Sequence, residues 1–496
     1  MNRQIRQLAV GLMVCYVALF VTLNYWQVGR KEELDASFDN TRAIRREFER
    51  PRGQILAADG TVLAQSVPTA PGSQFTFQRQ YPFDDLYAHV TGYYTFGFGS
   101  TGLERSLNDV LAGTTTEQQL RAIPGILDGD ADNSGSVVTT LRPDLQQVAK
   151  DALGEREGSV VVLEPATGAV RAMWSYPSYN SNLVVDPDFD AAGNVLDLLD
   201  QVPGDPLLAN TYQQRYMPGS TFKVLTTSIA LQAGAVALDT VFPDERAWVP
   251  PQTTDPIENF EGTICGGDLT EVFTRSCNIA FAKMAIDSGV DQMVQGVADW
   301  GIGEPVPLDL PRPAASTFGP TDDLAQNLPL LAIRGFGQNE VQMVPLHMAM
   351  VAATVANGGQ MMQPHVVQET RDHGGTVLDV TAPAVWKTPI TPETAEILRN
   401  LMISVAERGT ASCCIALASG TSVAAKTGTA QLNNPGEEER SNAWIVAFAP
   451  AEAPRYAVAV MLKGTNAEIS AGTGGRLAGP IAKTVLDAAF AGEVGG

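Results

Sequence analysis

The longest apolar stretch of the sequence lies near its amino terminus, at residues 8–28, and contains no charged residue. Its length matches the roughly 20 residues that a helix needs to cross a bilayer, and Arg3 and Arg6 precede it. No Ala-x-Ala-like cleavage site follows, which favours an uncleaved membrane anchor over the alternative, a signal peptide. We therefore expect a cytoplasmic tail at residues 1–7, one membrane span at 8–28, and an extracytoplasmic remainder.

Beyond the span, the pattern of polar and apolar residues predicts two folded regions. The first, residues 29–135, starts with a charged helical stalk and continues with a hairpin at 51–64 around an Asp-Gly turn. We expect it to be a spacer and docking domain. It ends in an acidic segment, 128–135, that resembles a calcium loop only superficially, because Thr139 stands where the last glutamate of such a loop belongs. We interpret this segment as a linker.

The second region, residues 136–496, contains longer apolar runs separated by turn residues. An acidic segment punctuated by proline and glycine, 186–205, indicates an excursion over the surface. The strand-like runs nearer the carboxyl terminus predict an antiparallel meander. The predicted elements are a helix at 143–153, two buried strands within 158–173, strands at 424–431, 443–448 and 456–462, and a helix at 480–490 with Pro480 in its first turn.

Composition narrows the classes of function. The chain has 496 residues and a formal net charge of −22, which argues against nucleic-acid binding and against a basic membrane-binding patch. The four histidines are scattered and no metal-ligand spacing occurs, so we expect neither a metal site nor a cofactor.

The cysteines are consistent with export. Four of them, Cys265, Cys277, Cys413 and Cys414, follow the apolar stretch, and four cysteines allow three pairings. The short loop between Cys265 and Cys277 favours that pair. The adjacent Cys413 and Cys414 form either a vicinal disulfide or two reduced thiols.

The first candidate for chemistry is Ser220, in the stretch Tyr-Met-Pro-Gly-Ser-Thr-Phe-Lys that ends at Lys223. An apolar helical pattern follows and stops near Gly234. Ser220 and Lys223 lie one helical turn apart on one face, which places a nucleophilic hydroxyl beside an amine that can act as its base. The alternative is that Ser220 only caps the helix and Lys223 is a surface lysine.

Two further stretches carry polar groups at the edge of apolar segments. Ser276 and Asn278 flank one residue at the start of a helical pattern, where a capping role for the serine is the alternative. Lys426, followed by Thr-Gly-Thr, lies on a predicted strand and provides a cation, hydroxyl donors and a glycine at which another backbone can approach closely. The alternative interpretation of this stretch is an ordinary edge strand with a solvated lysine.

In this order, the three stretches resemble the motifs of the penicillin-binding protein and serine β-lactamase superfamily, namely Ser-x-x-Lys, Ser-x-Asn and Lys-Thr-Gly. Further motifs resemble class B penicillin-binding proteins, especially the short actinobacterial A type. The sequence departs from that pattern at Ala209-Asn210-Thr211, where Asn-Arg-Ala is usual, and in the hairpin turn, where Asp-Arg is common. The further motifs are Arg52-Gly53, Gly335-Phe336-Gly337-Gln338, Asn357-Gly358-Gly359 and Gly409-Thr410-Ala411.

The resemblance implies an α/β (α+β) fold, with a transpeptidase domain whose antiparallel sheet is flanked by helices, a smaller mixed pedestal domain before it, and one transmembrane helix. It implies that Ser220 attacks the carbonyl between two D-alanines of a peptidoglycan stem peptide. Lys223 would be the base, Ser276 would relay a proton to the leaving amine, and Asn278 would hold the substrate amide. The strand residues Lys426, Thr427, Gly428 and Thr429 would bind the terminal carboxylate, or that of a β-lactam, and the backbone N–H groups of Ser220 and Thr429 would form the oxyanion hole.

For this chemistry the amine of Lys223 must be neutral. An ordinary lysine has a pKa near ~10.4, so a lowering of about 3 units, or roughly 4 kcal/mol, is required near pH 7. We expect burial and the like charge of Lys426 to supply it.

The resemblance favours a D,D-transpeptidase, in which an amine of a neighbouring stem peptide resolves the acyl-enzyme. Alternatives on the same fold are a D,D-carboxypeptidase and a β-lactamase, in which water does so, and a β-lactam-sensing receptor. The region between anchor and transpeptidase domain, about 110 residues, is too short for a glycosyltransferase domain. The resemblance therefore implies a partner, an integral-membrane glycosyltransferase of the shape, elongation, division and sporulation family.

Overall fold

The computed structural model describes residues 2–25, 47–121, 133–432 and 440–492. Most of the predicted stalk and most of the acidic linker segment lie outside these residues. The first helix, α1 (Asn2–Asn24), is not buried by the rest of the protein and is long and apolar enough to cross a membrane. It confirms the predicted apolar helix but starts earlier, and residues 26–28 lie outside the described part.

Further helices follow along the chain. They are α2 (Ala88–Thr91), α3 (Gly102–Ser106), α4 (Asn108–Leu111), α5 (Pro143–Leu153), α6 (Ser181–Val184), α7 (Phe189–Gln201), α8 (Lys223–Gln232), α9 (Leu269–Arg275), α10 (Asn278–Ser288), α11 (Val290–Asp299), α12 (Leu328–Arg334), α13 (Pro345–Ala356), α14 (Pro392–Arg408), α15 (Ala467–Ser470) and α16 (Gly474–Ala491). Short 3-10 helices occupy Gly219–Phe222, Phe260–Gly262 and Leu324–Gln326.

The strands of the described residues form two larger sheets and several two-stranded ones. They are β1 (Ile55–Leu56), β2 (Val62–Pro68), β3 (Phe77–Gln80), β4 (Tyr94–Thr95), β5 (Gly99–Ser100), β6 (Ser136–Thr139), β7 (Gly158–Leu163), β8 (Val170–Tyr176), β9 (Phe242–Glu245), β10 (Ala247–Trp248), β11 (Ile257–Glu258), β12 (Cys265–Gly267), β13 (Met361–Met362), β14 (Val367–Arg371), β15 (Val377–Val380), β16 (Val385–Lys387), β17 (Ala424–Gln431), β18 (Ser441–Ala449) and β19 (Tyr456–Leu462).

A five-stranded antiparallel sheet, in the order β17-β18-β19-β7-β8, lies at the centre of the second region. Strands β18 and β19 are buried along their whole length, because helices cover both faces of the sheet. Helices α5 and α16 pack together on one face, and α13 and α14 pack on the other. The predicted antiparallel meander is confirmed, and its first strand, β17, lies at the edge of the sheet.

The second large sheet has the order β15-β14-β6-β1-β2-β3. Strands β1 and β2 pair antiparallel around the Asp-Gly turn, which confirms the predicted hairpin. Strand β6 pairs parallel with β1, and β14 pairs antiparallel with β6. Strands from the second region therefore extend the sheet of the first region, and the division at residues 135 and 136 stays a prediction.

The last helix differs from its prediction. A start at Pro480 is wrong, because α16 begins at Gly474 and contains Pro480 in its interior. The reason is tertiary packing: a Cβ atom at Gly474 would lie 2.2 Å from the carbonyl oxygen of Trp444 and 2.3 Å from that of Gly428. The glycine-rich first turn thus docks directly on the sheet, and the missing N–H of the proline costs one hydrogen bond.

The structure also describes the predicted surface excursion and the cysteine pairs. The predicted surface excursion contains α7, which is capped by the carboxylate of Asp188 and is mostly exposed. Cys265 and Cys277 form a disulfide, as favoured, and Cys413 and Cys414 form the vicinal one of their two alternatives.

A buried ion cluster stabilises the first region. Glu104 is fully buried, and its two carboxylate oxygens each lie 2.6 Å from the Nε atom of an arginine, Arg52 and Arg79. Burial alone would raise the pKa of the Glu104 carboxyl, but the two arginines hold it below its ordinary value. The carboxylate is therefore the counter-ion of two buried guanidinium groups.

We expect Glu104→Gln to destabilise the protein by about 3–5 kcal/mol, since it leaves buried charges uncompensated. The pKa of Glu104 is lower in the folded protein than in the unfolded chain. The extra stability of the wild type is therefore fully present above the unfolded-state pKa, and it is lost as the pH falls through the folded-state pKa. Thermal unfolding of both proteins from pH 7 down to pH 3 measures this. Equal unfolding temperatures at pH 7 would contradict it.

Candidate active site

The three sequence motifs meet in one cleft of about 1390 Å³. Residues that line it include Ser220, Ser276, Asn278, Thr427 and Thr429. The two lysines of the motifs, by contrast, are fully buried behind these residues. The stretches that are far apart in the chain are therefore brought together, as the sequence motifs predict.

Ser220 lies in the 3-10 helix Gly219–Phe222, which continues directly into α8. The sequence predicts an α-helix from Ser220 onward, but the close approach of β17 tightens this first turn. A Cβ atom at Gly219 would lie 2.5 Å from the carbonyl oxygen of Thr429, and the backbone there has a positive φ of 54°. Ser220 is half-buried and does not cap the helix, so the capping alternative is wrong.

Lys223 is the first residue of α8 and is fully buried. Its Nζ atom lies 2.8 Å from the backbone oxygen of Ser276, 2.8 Å from Oδ1 of Asn278 and 3.2 Å from the Ser276 hydroxyl. Burial, followed by the like charge of Lys426, holds the pKa of this amine well below its ordinary value. The alternative of a solvated surface lysine is wrong, and the lowered pKa favours the neutral amine that a base requires.

Ser276 connects the two lysines. Its hydroxyl oxygen lies 2.9 Å from Nζ of Lys426, in addition to its contact with Lys223. The residue has a left-handed backbone at the end of α9, with a φ of 62°. The disulfide from the buried Cys277 to Cys265 attaches this turn to β12, and Asn278 begins α10.

Lys426 lies on the edge strand β17 and is fully buried, so the alternative of a solvated lysine is wrong. Burial lowers its pKa to about 7. Its Nζ atom contacts the Ser276 hydroxyl and, at 3.1 Å, the carbonyl oxygen of Thr427. The next two side chains of the strand that line the cleft are the hydroxyl-bearing Thr427 and Thr429.

Gly428 lets the strand approach the nucleophile. A Cβ atom at this position would lie 2.5 Å from the carbonyl oxygen of Pro218 and 3.1 Å from the backbone nitrogen of Thr221. The strand and the 3-10 helix are thus in backbone contact, and no larger residue fits between them. This places Ser220 beside Thr429 at the edge of the cleft.

Sequence reasoning gave no role to two residues that complete the site. The hydroxyl of Thr410 lies 2.5 Å from that of Thr427 and lines the cleft. Gly337 accepts a 2.9 Å hydrogen bond from the N–H of Gly219, and a Cβ atom on it would lie 2.2 Å from the Gly219 oxygen. Both residues occur in motifs that carry the resemblance to the family. These motifs were the signal in the sequence that could have identified them.

A serine three residues before a buried lysine of lowered pKa, with a second serine that contacts this lysine and another one, is the arrangement of an active-site-serine acyltransferase. The chain belongs to the penicillin-binding protein transpeptidase family. The model of the penicillin-binding protein transpeptidase domain matches residues 158–487, and that of the penicillin-binding protein A dimerisation domain matches residues 52–137.

Similar proteins span the whole chain. The peptidoglycan D,D-transpeptidase PbpA of Mycolicibacterium smegmatis is 37% identical over 99% of both chains. That of Mycobacterium tuberculosis is 35% identical over 99% of this chain and 100% of the relative. The structure of penicillin-binding protein A from M. tuberculosis as a ceftriaxone acyl-enzyme complex superimposes with a TM-score of 0.83 at 34% identity, covering 90% of this chain and 99% of that one.

We expect Gly428→Ala to reduce acylation by penicillin at least tenfold, because the new methyl group forces β17 away from the turn that carries Ser220. Stopped-flow or gel-based acylation rates measure the effect. The matched control is Gly374→Ala in an exposed turn, where the nearest atom is a carboxylate oxygen at 3.4 Å. Equal rates for the two variants would contradict the role of the close approach.

We expect Lys426→Met to move the acid limb of the residual acylation rate to higher pH. The positive charge of Lys426 helps to lower the pKa of Lys223, so its removal raises that pKa, and the base becomes protonated at a higher pH. Lys483→Met, which removes an amine from the surface of α16, serves as the control. An acid limb that stays in place or moves to lower pH would oppose this explanation.

Proposed function

We propose that the protein is a peptidoglycan D,D-transpeptidase that cross-links stem peptides through a serine acyl-enzyme and is inhibited covalently by β-lactams. The observation that carries the proposal is the hydrogen-bonded chain from Lys223 through Ser276 to Lys426 beneath the cleft. The relatives named peptidoglycan D,D-transpeptidase, and the β-lactam acyl-enzyme complexes of a similar protein, support it.

In the acylation step, the oxygen of Ser220 attacks the carbonyl between the two terminal D-alanines. The neutral amine of Lys223 takes the serine proton, and the tetrahedral oxyanion is stabilised by the backbone N–H groups of Ser220 and Thr429. Asn278 holds the amide of the donor peptide. The C–N bond then breaks, and Ser276, in contact with both lysines, relays a proton to the nitrogen of the departing D-alanine.

In the second step, the amine of a neighbouring stem peptide attacks the ester carbon of the acyl-enzyme. A new amide forms, Ser220 leaves with a proton, and the cross-link is complete. A β-lactam imitates the donor peptide and acylates Ser220. Its opened ring then stays attached to Ser220, which inhibits the enzyme. A D,D-carboxypeptidase would use water in place of the amine, so an amine acceptor distinguishes the two.

We also propose that α1 anchors the protein in the cell membrane as a single span, with the catalytic region outside. Its exposure and apolar composition support this arrangement. Because transpeptidation joins strands that another enzyme must polymerise, we propose as partner an integral-membrane glycosyltransferase of the shape, elongation, division and sporulation family. The pedestal, residues 29–135, is the proposed docking domain.

We expect benzylpenicillin to form one stable adduct on Ser220 of the wild-type protein. Intact-mass and peptide mass spectrometry detect it, and Ser220→Ala removes the adduct completely while leaving the unfolding temperature nearly unchanged, since the side chain is only half-buried. The control is Ser412→Ala, an exposed serine outside the cleft. Rapid release of hydrolysed drug would instead identify a β-lactamase.

A further inference from the structure

Two arginines line the cleft with side chains that have no partner among the described residues. Arg476 is the third residue of α16, and Arg246 lies between β9 and β10. Neither guanidinium makes a hydrogen bond or an ion pair with any residue of the described part of the chain. The third arginine of the cleft, Arg275, instead donates to the backbone oxygen of Ile264 at 2.7 Å.

Arg476 lies at the end of the cleft formed by β17. The N–H of Gly474 donates to the Thr429 hydroxyl at 3.3 Å. A Cβ atom on Gly475 would lie 3.6 Å from the methyl group of Thr427. The two residues of α16 that precede Arg476 therefore lie against both threonines. The side chain of Arg476 is exposed and long enough to reach over them.

The polar groups at this end of the cleft suit an anion. The described lining residues contributed by segments 410, 427–432 and 471–476 include no aspartate or glutamate. They include the hydroxyl groups of Thr410, Thr427 and Thr429, which can donate to carboxylate oxygens. The glutamates of the lining come from other segments, at Glu258, Glu261 and Glu340.

Lys426 is poorly placed to neutralise such an anion alone. Its amine is fully buried and is directed to the Ser276 hydroxyl and to the backbone oxygen of Thr427. Burial also lowers its pKa to about 7, so it carries only part of a charge near neutral pH. An arginine, by contrast, stays charged at every relevant pH and binds carboxylates with two parallel N–H groups.

We propose that Arg476 binds the carboxylate of the terminal D-alanine, and of β-lactams, and so determines the specificity of the cleft for anionic donors. Thr427 and Thr429 hold the same group through their hydroxyls. Lys426 then serves the proton relay through Ser276. This assignment rests on the proposed acyl-transfer function and adds to it a residue outside the three motifs.

The test compares second-order acylation rates of the detergent-solubilised full-length protein by benzylpenicillin and by its methyl ester, which lacks the charge. We expect Arg476→Ala and Arg476→Gln to lower the ratio of the acid rate to the ester rate at least tenfold. Arg476→Lys, which keeps a point charge, should give an intermediate ratio. Because Arg476 is exposed, the variants should unfold at the wild-type temperature.

Arg246→Ala is the matched control, since it removes the same charge from another part of the same cleft. We expect it to leave the acid-to-ester ratio within twofold of the wild type. The proposal is overturned if Arg476→Ala leaves the ratio unchanged, or if Arg246→Ala lowers it equally. Failure of the wild-type protein to be acylated by either compound would instead refute the acyl-transfer function itself.

Discussion

The hydrogen-bonded contact between the two buried lysines and the hydroxyl of Ser276 is the interaction on which the site depends. Two like charges at this depth would be strongly unfavourable, so burial lowers the pKa of both amines, and the like charge of Lys426 lowers that of Lys223 further. A neutral Lys223 can take the proton of Ser220, whereas an ammonium cannot. Burial of the Lys223 amine costs folding free energy, but it is also the main cause of the lowered pKa that lets this lysine act as a base.

The fold maintains this contact through backbone approaches that only glycine permits. Gly219, Gly337 and Gly428 bring the nucleophile turn, a neighbouring loop and the edge strand into van der Waals contact. The rigid five-stranded sheet fixes the strand, and the disulfide at Cys277 holds the turn that presents Ser276. Close backbone contacts and one disulfide therefore hold together segments that are distant in the sequence.

Much of this could be predicted from the sequence, because the relevant signals are local. The apolar run of α1, the helix at 143–153, the hairpin turn and the strand runs follow directly from hydrophobic periodicity and turn chemistry. The three motifs indicated the meeting of Ser220, Ser276 and Lys426 through resemblance to a family. The like-charge lowering of the Lys223 pKa follows from placing two amines together.

The remaining features depend on tertiary contacts that no local pattern records. The start of α16 at Gly474 is set by its packing on the sheet, where proline statistics favour Pro480. Strands β14 and β15 join the sheet of the first region, although they come from the second. Arg476 and Thr410 likewise become part of the cleft only when distant segments pack together.

The most direct measurement of the central claim is a pH titration of the lysine side chains by NMR, using protein labelled with carbon-13 at the ε position of lysine. The resonance that disappears in Lys223→Met belongs to Lys223. We predict that it titrates well below the ordinary lysine pKa of 10.5. A Lys223 resonance that titrates near 10.5 would show a charged amine at neutral pH and would contradict the account.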